Sequence, residues 1–402
     1  MNNKIANLFS LVGGALCVAF ASSAWANHRS GDFPLPEIMT AGDFNRDGNL
    51  DIAANMSGFD NFVVLNGDGQ GGFTIKRHIQ IDTLSKAVVS GDLNGDGILD
   101  VVGVSQWGYN IKVFLGNGAG NFQLSTVLNG DGEPNRLALA DLNKDGNVDI
   151  IANAPSEGKI LIYFGLGGGN FTNTALEIEK FANVFAIEVG DFNNDSNPDI
   201  ALAYFEDTTS TGSHMQILLG DGAGNFTFGQ NIVINPQCNN IRAYDLNKDG
   251  KLDLILAGAG ADNVAGVFLS TYLGNGTGTF TLKQALDLGT GSIKGQISLA
   301  DFDEDGNVDV AFPLSANGIM RHDLSTDLLM FYGDGTGNFV QGTTQTVGQE
   351  PGSTWAADFN KDGHMDIACT NRTDGTLTIL LGNGTRSFTT HATIQLNDLS
   401  TP

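Results

Sequence analysis

The sequence predicts an all-β fold, a seven-bladed β-propeller of four-stranded antiparallel blades. Three observations lead there. An acidic stretch recurs seven times at near-regular spacing, and a glycine-rich turn ending in phenylalanine follows each copy. Between these markers lie short apolar runs of β character.

The acidic stretch first stands as GDFNRDGNLDIA from Gly42, then as GDLNGDGILDVV from Gly91, ADLNKDGNVDII from Ala140 and GDFNNDSNPDIA from Gly190. It returns as YDLNKDGKLDLI from Tyr244, ADFDEDGNVDVA from Ala300 and ADFNKDGHMDIA from Ala357. Successive leading aspartates are 49, 49, 50, 54, 56 and 57 residues apart. Seven such repeats in 402 residues argue for one closed array instead of two or three separate domains. Fifty-four glycines, 25 phenylalanines and 16% charged residues suit many short strands joined by tight turns, and 41% hydrophobic content supplies a core.

At the amino terminus, Lys4 precedes the apolar run LFSLVGGALCVAF, and small residues follow at Ala24 and Ala26. This pattern predicts a secretory leader over residues 1–26, cut after Ala26, and places the mature chain outside the inner membrane, secreted or periplasmic. The apolar run is short for a membrane span. The net charge of -25 disfavours nucleic acid and anionic membranes. Outside the leader, Cys238 and Cys369 lie in distant repeats, too far apart for a disulfide, and read as free thiols.

Repeat two shows the plan of a blade. AVVSGD reads as a strand, the acidic loop follows, LDVVGVS reads as a second strand, IKVFLG as a third, and the NGAGN turn leads to a fourth, FQLSTVL. Blades fall at about 37–82, 83–131, 132–181, 182–235, 236–291, 292–348 and 349–398. Blade seven owns all four of its strands and blade one begins with its own first strand, so no shared closing strand is evident. HRSGDFPLP is a candidate edge segment. The glycine turns end at Phe73, Phe122, Phe171, Phe226, Phe280, Phe339 and Phe388. They lead into strands and carry no Gly-Lys-Ser/Thr, which argues against a phosphate-binding loop.

Aligned, the acidic loops read D-x-N/D-x-D-G/S-x-x-D. Side-chain oxygens stand at positions one, three, five and nine, a glycine at six permits a sharp turn, and the backbone carbonyl at seven is free to join. Calcium takes six to eight hard oxygens, and the first half of the loop follows the logic of an EF-hand. The plain alternative is an Asx-rich turn without an ion. Against it, three carboxylates about 4 Å apart repel by about 1 kcal/mol per pair even in water-like surroundings. We therefore expect calcium at up to seven sites. The candidate residues are Asp43, Asn45, Asp47, Asn49 and Asp51; Asp92, Asn94, Asp96, Ile98 and Asp100; Asp141, Asn143, Asp145, Asn147 and Asp149; and Asp191, Asn193, Asp195, Asn197 and Asp199. The remaining three sets are Asp245, Asn247, Asp249, Lys251 and Asp253; Asp301, Asp303, Asp305, Asn307 and Asp309; and Asp358, Asn360, Asp362, His364 and Asp366. Repeat six, with four carboxylates, is expected to bind tightest. Repeat four, with Ser196 in place of glycine, is expected to bind weakest.

The paired signature of acidic loop and turn, for example GDLNGDGILDVV with VFLGNGAGNF, resembles the FG-GAP/VCBS repeat family, which includes the integrin α-subunit head. The likeness extends over about residues 37–398. It implies a seven-bladed propeller with calcium in the loop between the first two strands of each blade. In repeat two the implied ligands are Asp92, Asn94, Asp96 and Asp100 with the carbonyl of Ile98. The literal FG and GAP wording is absent, which favours the bacterial type of repeat. Members include adhesins, lectin-like proteins and parts of polysaccharide-active enzymes, so membership does not fix a ligand.

From the first loop aspartate to the turn phenylalanine is 30 residues in repeats one, two, three and seven, but 35, 35 and 38 in repeats four, five and six. The additions are YFEDTTSTGSHMQ from Tyr204, GAGADNVAGVF from Gly258 and PLSANGIMRHDLSTD from Pro313. They fall between second and third strands and should project from the face opposite the acidic loops, where insertions in repeat arrays often bind partners, unless they are neutral drift in permissive loops. Candidate contacts there are Phe205, His214, Arg321 and His322, with Trp107 and Tyr109 from SQWGYN. The leading functional expectation is a non-enzymatic recognition or adhesion module for a glycan or extracellular protein, working as a monomer. The alternatives are a calcium-dependent carbohydrate-active enzyme of the polysaccharide lyase type, using Arg321 or His322, and a structural subunit of a surface assembly. No nucleophile elbow, H-E-x-x-H or compelling acid/base constellation supports catalysis.

Overall fold

A computed structural model describes residues 17–20, 35–57, 61–81, 85–105, 107–179, 181, 183–205, 213–234, 237–259, 266–315 and 324–396. Seven antiparallel sheets follow one another along the chain, with no helix among the described residues. Blade one comprises Leu35–Gly42, Asp51–Ser57, Asn61–Gly67 and Phe73–Gln80, and blade two Ser85–Gly91, Asp100–Ser105, Asn110–Gly116 and Phe122–Asn129. Blade three comprises Arg136–Ala140, Asp149–Ala154, Lys159–Tyr163 and Leu176–Glu179, with a small hairpin of Gly165–Gly167 and Asn170–Phe171 in its turn. Blades four and five run Val184–Gly190, Asp199–Phe205, Ser213–Gly220, Phe226–Ile234 and Cys238–Tyr244, Asp253–Ala259, Val267–Gly274, Phe280–Asp287. Blade six has Ser298–Ala300, Asp309–Leu314, Asp327–Gly333 and Phe339–Gln341, with Gln345–Thr346 extending its outer edge. Blade seven has Pro351–Ala357, Asp366–Asn371, Thr376–Gly382 and Phe388–Gln395.

Burial explains the two kinds of strand pattern. Second strands are covered on both faces by neighbouring blades, so Asp100–Ser105 is buried throughout and reads as a continuous apolar run. Fourth strands form the outer edge, and Phe122–Asn129 is mostly exposed or half-buried. Because each blade is a meander, every second strand starts at an acidic loop and ends on the opposite face. The connections from Phe205 to Ser213, Ala259 to Val267 and Leu314 to Asp327 are the long ones, and the strand ends that anchor them lie on the face opposite the acidic loops.

Adjacent blades are joined through the residue at position two of the acidic loop. Where it is phenylalanine it packs edge-on against the turn phenylalanine of the next blade: Phe44 with Phe122 at 5.4 Å, Phe192 with Phe280 at 5.6 Å and Phe302 with Phe388 at 5.6 Å between ring centroids. Such pairs add about 0.5–1.5 kcal/mol beyond area burial. Ring closure uses the same device, with Phe359 of blade seven against Phe73 of blade one at 5.5 Å. Among the described residues no strand is exchanged: blades one and seven each keep four consecutive strands, and of HRSGDFPLP residues 28–34 lie outside the described residues while Leu35 and Pro36 open the first strand of blade one. Glu37 of blade one completes the seam, meeting Arg372 of blade seven at 2.9 Å and Lys86 of blade two at 3.3 Å.

Cys17–Phe20 pairs antiparallel with Arg136–Leu139, on the axis side of blade three; the rest of the stretch read as a leader lies outside the described residues. Cys238 and Cys369 are buried free thiols, and burial pushes Cys238 up to about 12.

Candidate metal centres

Each acidic loop is wound by its own side chains. In all seven, one oxygen of the position-one aspartate accepts the amide of position six at 2.8–2.9 Å, as Asp92 does from Gly97. The position-three oxygen accepts the amide of position five at 2.8–3.2 Å. One oxygen of the position-five aspartate accepts the amide of position seven. These Asx-type bonds curl the backbone around the carboxylates. Position six needs a left-handed residue: Gly97 has φ 78°, and Ser196 is forced to 69°.

The ninth aspartates, Asp51, Asp100, Asp149, Asp199, Asp253, Asp309 and Asp366, are fully buried. One oxygen accepts the amide of position two and the other the amide of the glycine ending the third strand: Leu93 at 2.8 Å and Gly116 at 2.8 Å for Asp100. All seven blades repeat both bonds, with Gly165 at the start of the turn hairpin supplying the second amide in blade three. This aspartate thus ties its loop to the third strand. The glycine is required by close approach, since a Cβ on Gly116 would lie 2.3 Å from the carbonyl oxygen of Leu99. Burial raises Asp51, Asp100, Asp199 and Asp366 to about 6 and Asp149 and Asp309 to about 7, against the lowering effect of the two amides.

The donor set suits a hard cation. In blade six, oxygens of Asp301, Asp303 and Asp309 lie within 4.8 Å of one another, the span of oxygens on opposite sides of an ion bound at about 2.4 Å. In five of the other loops the position-three asparagine instead turns its amide onto the position-five carboxylate, as Asn94 Nδ2 donates to Asp96 at 2.9 Å.

Position four, unremarked in the sequence, proves to be the link between neighbouring loops. It is left-handed in every loop, with φ from 58° to 77°, and in loops three, five, six and seven its side chain reaches position seven of the next blade. Lys144 donates to Asn197 at 3.1 Å, Lys248 to Asn307 at 2.6 Å and Lys361 to Asn49 at 2.6 Å, while Glu304 pairs with His364. Arg46 lies against Gly118 and Gly97 of blade two. The alternation of basic residues between acidic ones was the available signal. In loop five, Lys251 pairs with its own Asp249 at 3.5 Å.

Among the described residues, the ligand-face candidates stand on separate blades, two on blade two and two on blade four. Trp107 and Tyr109 stand exposed on blade two, at 59% and 47%. On blade four, Phe205 packs on Phe185 at 4.7 Å, and His214 lies by Tyr204 and hydrogen-bonds Asn231 at 2.9 Å, so both help pack the blade. Arg321 and His322 lie outside the described residues.

The profile described as FG-GAP-like repeat matches residues 43–103, 92–152, 141–202 and 245–312, more than half of the chain. The chain belongs to the FG-GAP-like repeat family. No curated protein sequence matches this family member. Among solved structures, BBS1N in complex with ARL6DN aligns with a TM-score of 0.59 and 10% identity, covering 94% of this chain and 98% of that one. A proposed 6-phosphogluconolactonase from Bacteroides fragilis gives 0.58 and 12%, covering 92% and 97%. A Lactobacillus plantarum protein gives 0.56 and 10%, covering 90% and 96%. At these identities the likeness shows the propeller fold alone. No helix among the described residues is long and apolar enough to cross a membrane.

Proposed function

We propose that this FG-GAP-repeat propeller is a secreted, calcium-stabilised recognition module that presents its extended loops to a glycan or an extracellular protein. The observation that carries the calcium part is the sevenfold repetition of one oxygen set on one rim, wound identically in each blade. Calcium would be held by positions one, three, five and nine with the carbonyl at seven. At about tenfold over its dissociation constant each site adds roughly 1.4 kcal/mol, and seven add roughly 10, comparable with the stability of a whole domain. The recognition part rests on the three long connections gathered on adjacent blades opposite that rim. That the BBS1 propeller is found in complex with ARL6DN supports a protein partner as one form of ligand.

The test is thermal unfolding of residues 27–402 in excess EDTA and across calcium and magnesium titrations. A midpoint that climbs steeply with calcium and little with magnesium supports occupied loops; one indifferent to calcium removes the reading. A glycan array run in calcium then asks whether the opposite face binds sugar.

A further inference from the structure

Two departures from the repeat meet in space. At position three, six loops carry asparagine and only loop six carries aspartate, Asp303. In the glycine turn, six blades have glycine at the site of Gly71, Gly120, Gly169, Gly224, Gly278 and Gly337, and only blade seven has arginine, Arg386. The backbone there is left-handed, φ 63°, a conformation that glycine adopts freely and arginine does not. Despite that cost, Arg386 reaches into the loop of blade six, where both Nε and Nη2 lie 2.5 Å from Asp303 Oδ2, with Nη2 3.9 Å from Asp305. The guanidinium stacks 4.3 Å over the Tyr332 ring, which fixes its approach, while the Asp303 side chain is only 5% exposed.

Charge gives the arrangement a purpose. At the inward oxygen positions of loop six, the four carboxylates of Asp301, Asp303, Asp305 and Asp309 less one guanidinium leave three net negative charges, the number carried by Asp92, Asp96 and Asp100 in loop two, while Glu304 at position four faces away to His364 of blade seven. We propose that Arg386 is a resident counter-ion of the sixth loop, which neutralises Asp303 and holds the affinity of this loop for a divalent cation down to that of its neighbours. It also pins blade seven to blade six when no metal is bound. The inference rests on the calcium reading and alters one expectation drawn from sequence: the fourth carboxylate does not make loop six the tightest site.

The test uses terbium(III) as a luminescent calcium substitute on the full chain, excited through tyrosine. Tyr332 lies within electrostatic reach of Asp303 and Asp309, and Tyr244 within reach of Asp301 and Asp245, so a Tyr244→Phe background removes the donor beside loop five and keeps Tyr332 as the sensitiser of loop six. Arg386→Gly, the residue native to the other six turns, should tighten the sensitised site at least about tenfold, the scale of repulsion between a divalent ion and a guanidinium in water-like surroundings. Arg386→Lys should stay near the parent, and Asp303→Asn with Arg386→Gly should return to it. Unchanged or weakened affinity in Arg386→Gly overturns the proposal. If neither terbium nor calcium binds the parent or any variant, the calcium reading itself has failed. Melting in EDTA checks that each variant is folded.

Discussion

Lys361 Nζ donates to Asn49 Oδ1 at 2.6 Å, joining the acidic loop of the last blade to that of the first, 312 residues away. The bond repeats at the ring's seam the link from position four to position seven that ties blades three to four and five to six. The seam is thus an ordinary blade interface, except that beneath it Glu37 gathers Arg372 and Lys86 in a buried cluster. Burial pushes Glu37 up, but the two cations outweigh it and hold the carboxyl below its usual range.

These two contacts should differ sharply on substitution. Lys361→Ala removes an exposed bond and should cost about 0.5 kcal/mol or less. Glu37→Ala leaves two buried cations without their partner and should cost about 3–5 kcal/mol. Urea unfolding in EDTA measures both, and similar losses would count against this account of closure.

The two kinds of loop aspartate are separable in the same way. Asp100→Ala strips acceptors from the amides of Leu93 and Gly116, and should destabilise the chain by about 2–4 kcal/mol even in EDTA, and by more in calcium, where a ligand is lost as well. Asp96→Ala touches only exposed groups at the loop tip, so its loss in EDTA should be small while the calcium-induced rise in midpoint shrinks. Equal losses in EDTA would mean that the ninth aspartate does not knit the blade.

The contrast shows how far the sequence could be read. Seven repeats, four strands apiece and the strand-to-strand position of the acidic loops were all legible, because turn chemistry and β-type apolar runs are local signals. The tie from Asp100 to Gly116 was not, since it joins residues 16 apart whose proximity depends on how the second and third strands pair. Nor was Arg386 legible as a partner of Asp303: 83 residues separate them, and only blade packing brings a turn of one repeat over the loop of the previous one. Phe205 and His214 flank the connection between the second and third strands, a position that suggests an exposed surface, yet contacts with Phe185 and Asn231 turn them toward the blade.

Ser196 offers a test of backbone cost. Its φ of 69° places a Cβ where the other six loops have glycine. Ser196→Gly should stabilise the metal-free chain by about 0.5–1 kcal/mol and bring the affinity of loop four toward that of its neighbours. Calorimetric titration of parent and variant reads the second effect, and an unchanged binding isotherm would detach affinity from the turn.

The buried ninth aspartates set the pH response of the metal-free chain. Their folded values, raised to about 6 or 7 in six blades, lie above that of an unfolded aspartate near 3.9. Between those limits the folded chain holds more protons than the unfolded one, so these groups make stability rise as pH falls from about 7.5 toward 4.5. Above pH 7.5 both states are ionised and the burial penalty is felt in full, and below about 3.5 both are protonated and the contribution levels off. Midpoints measured in a chelator effective across the range should therefore be higher at pH 5.5 than at pH 8. A midpoint that falls steadily on acidification over that interval would show that the paired amides, not burial, govern these carboxylates.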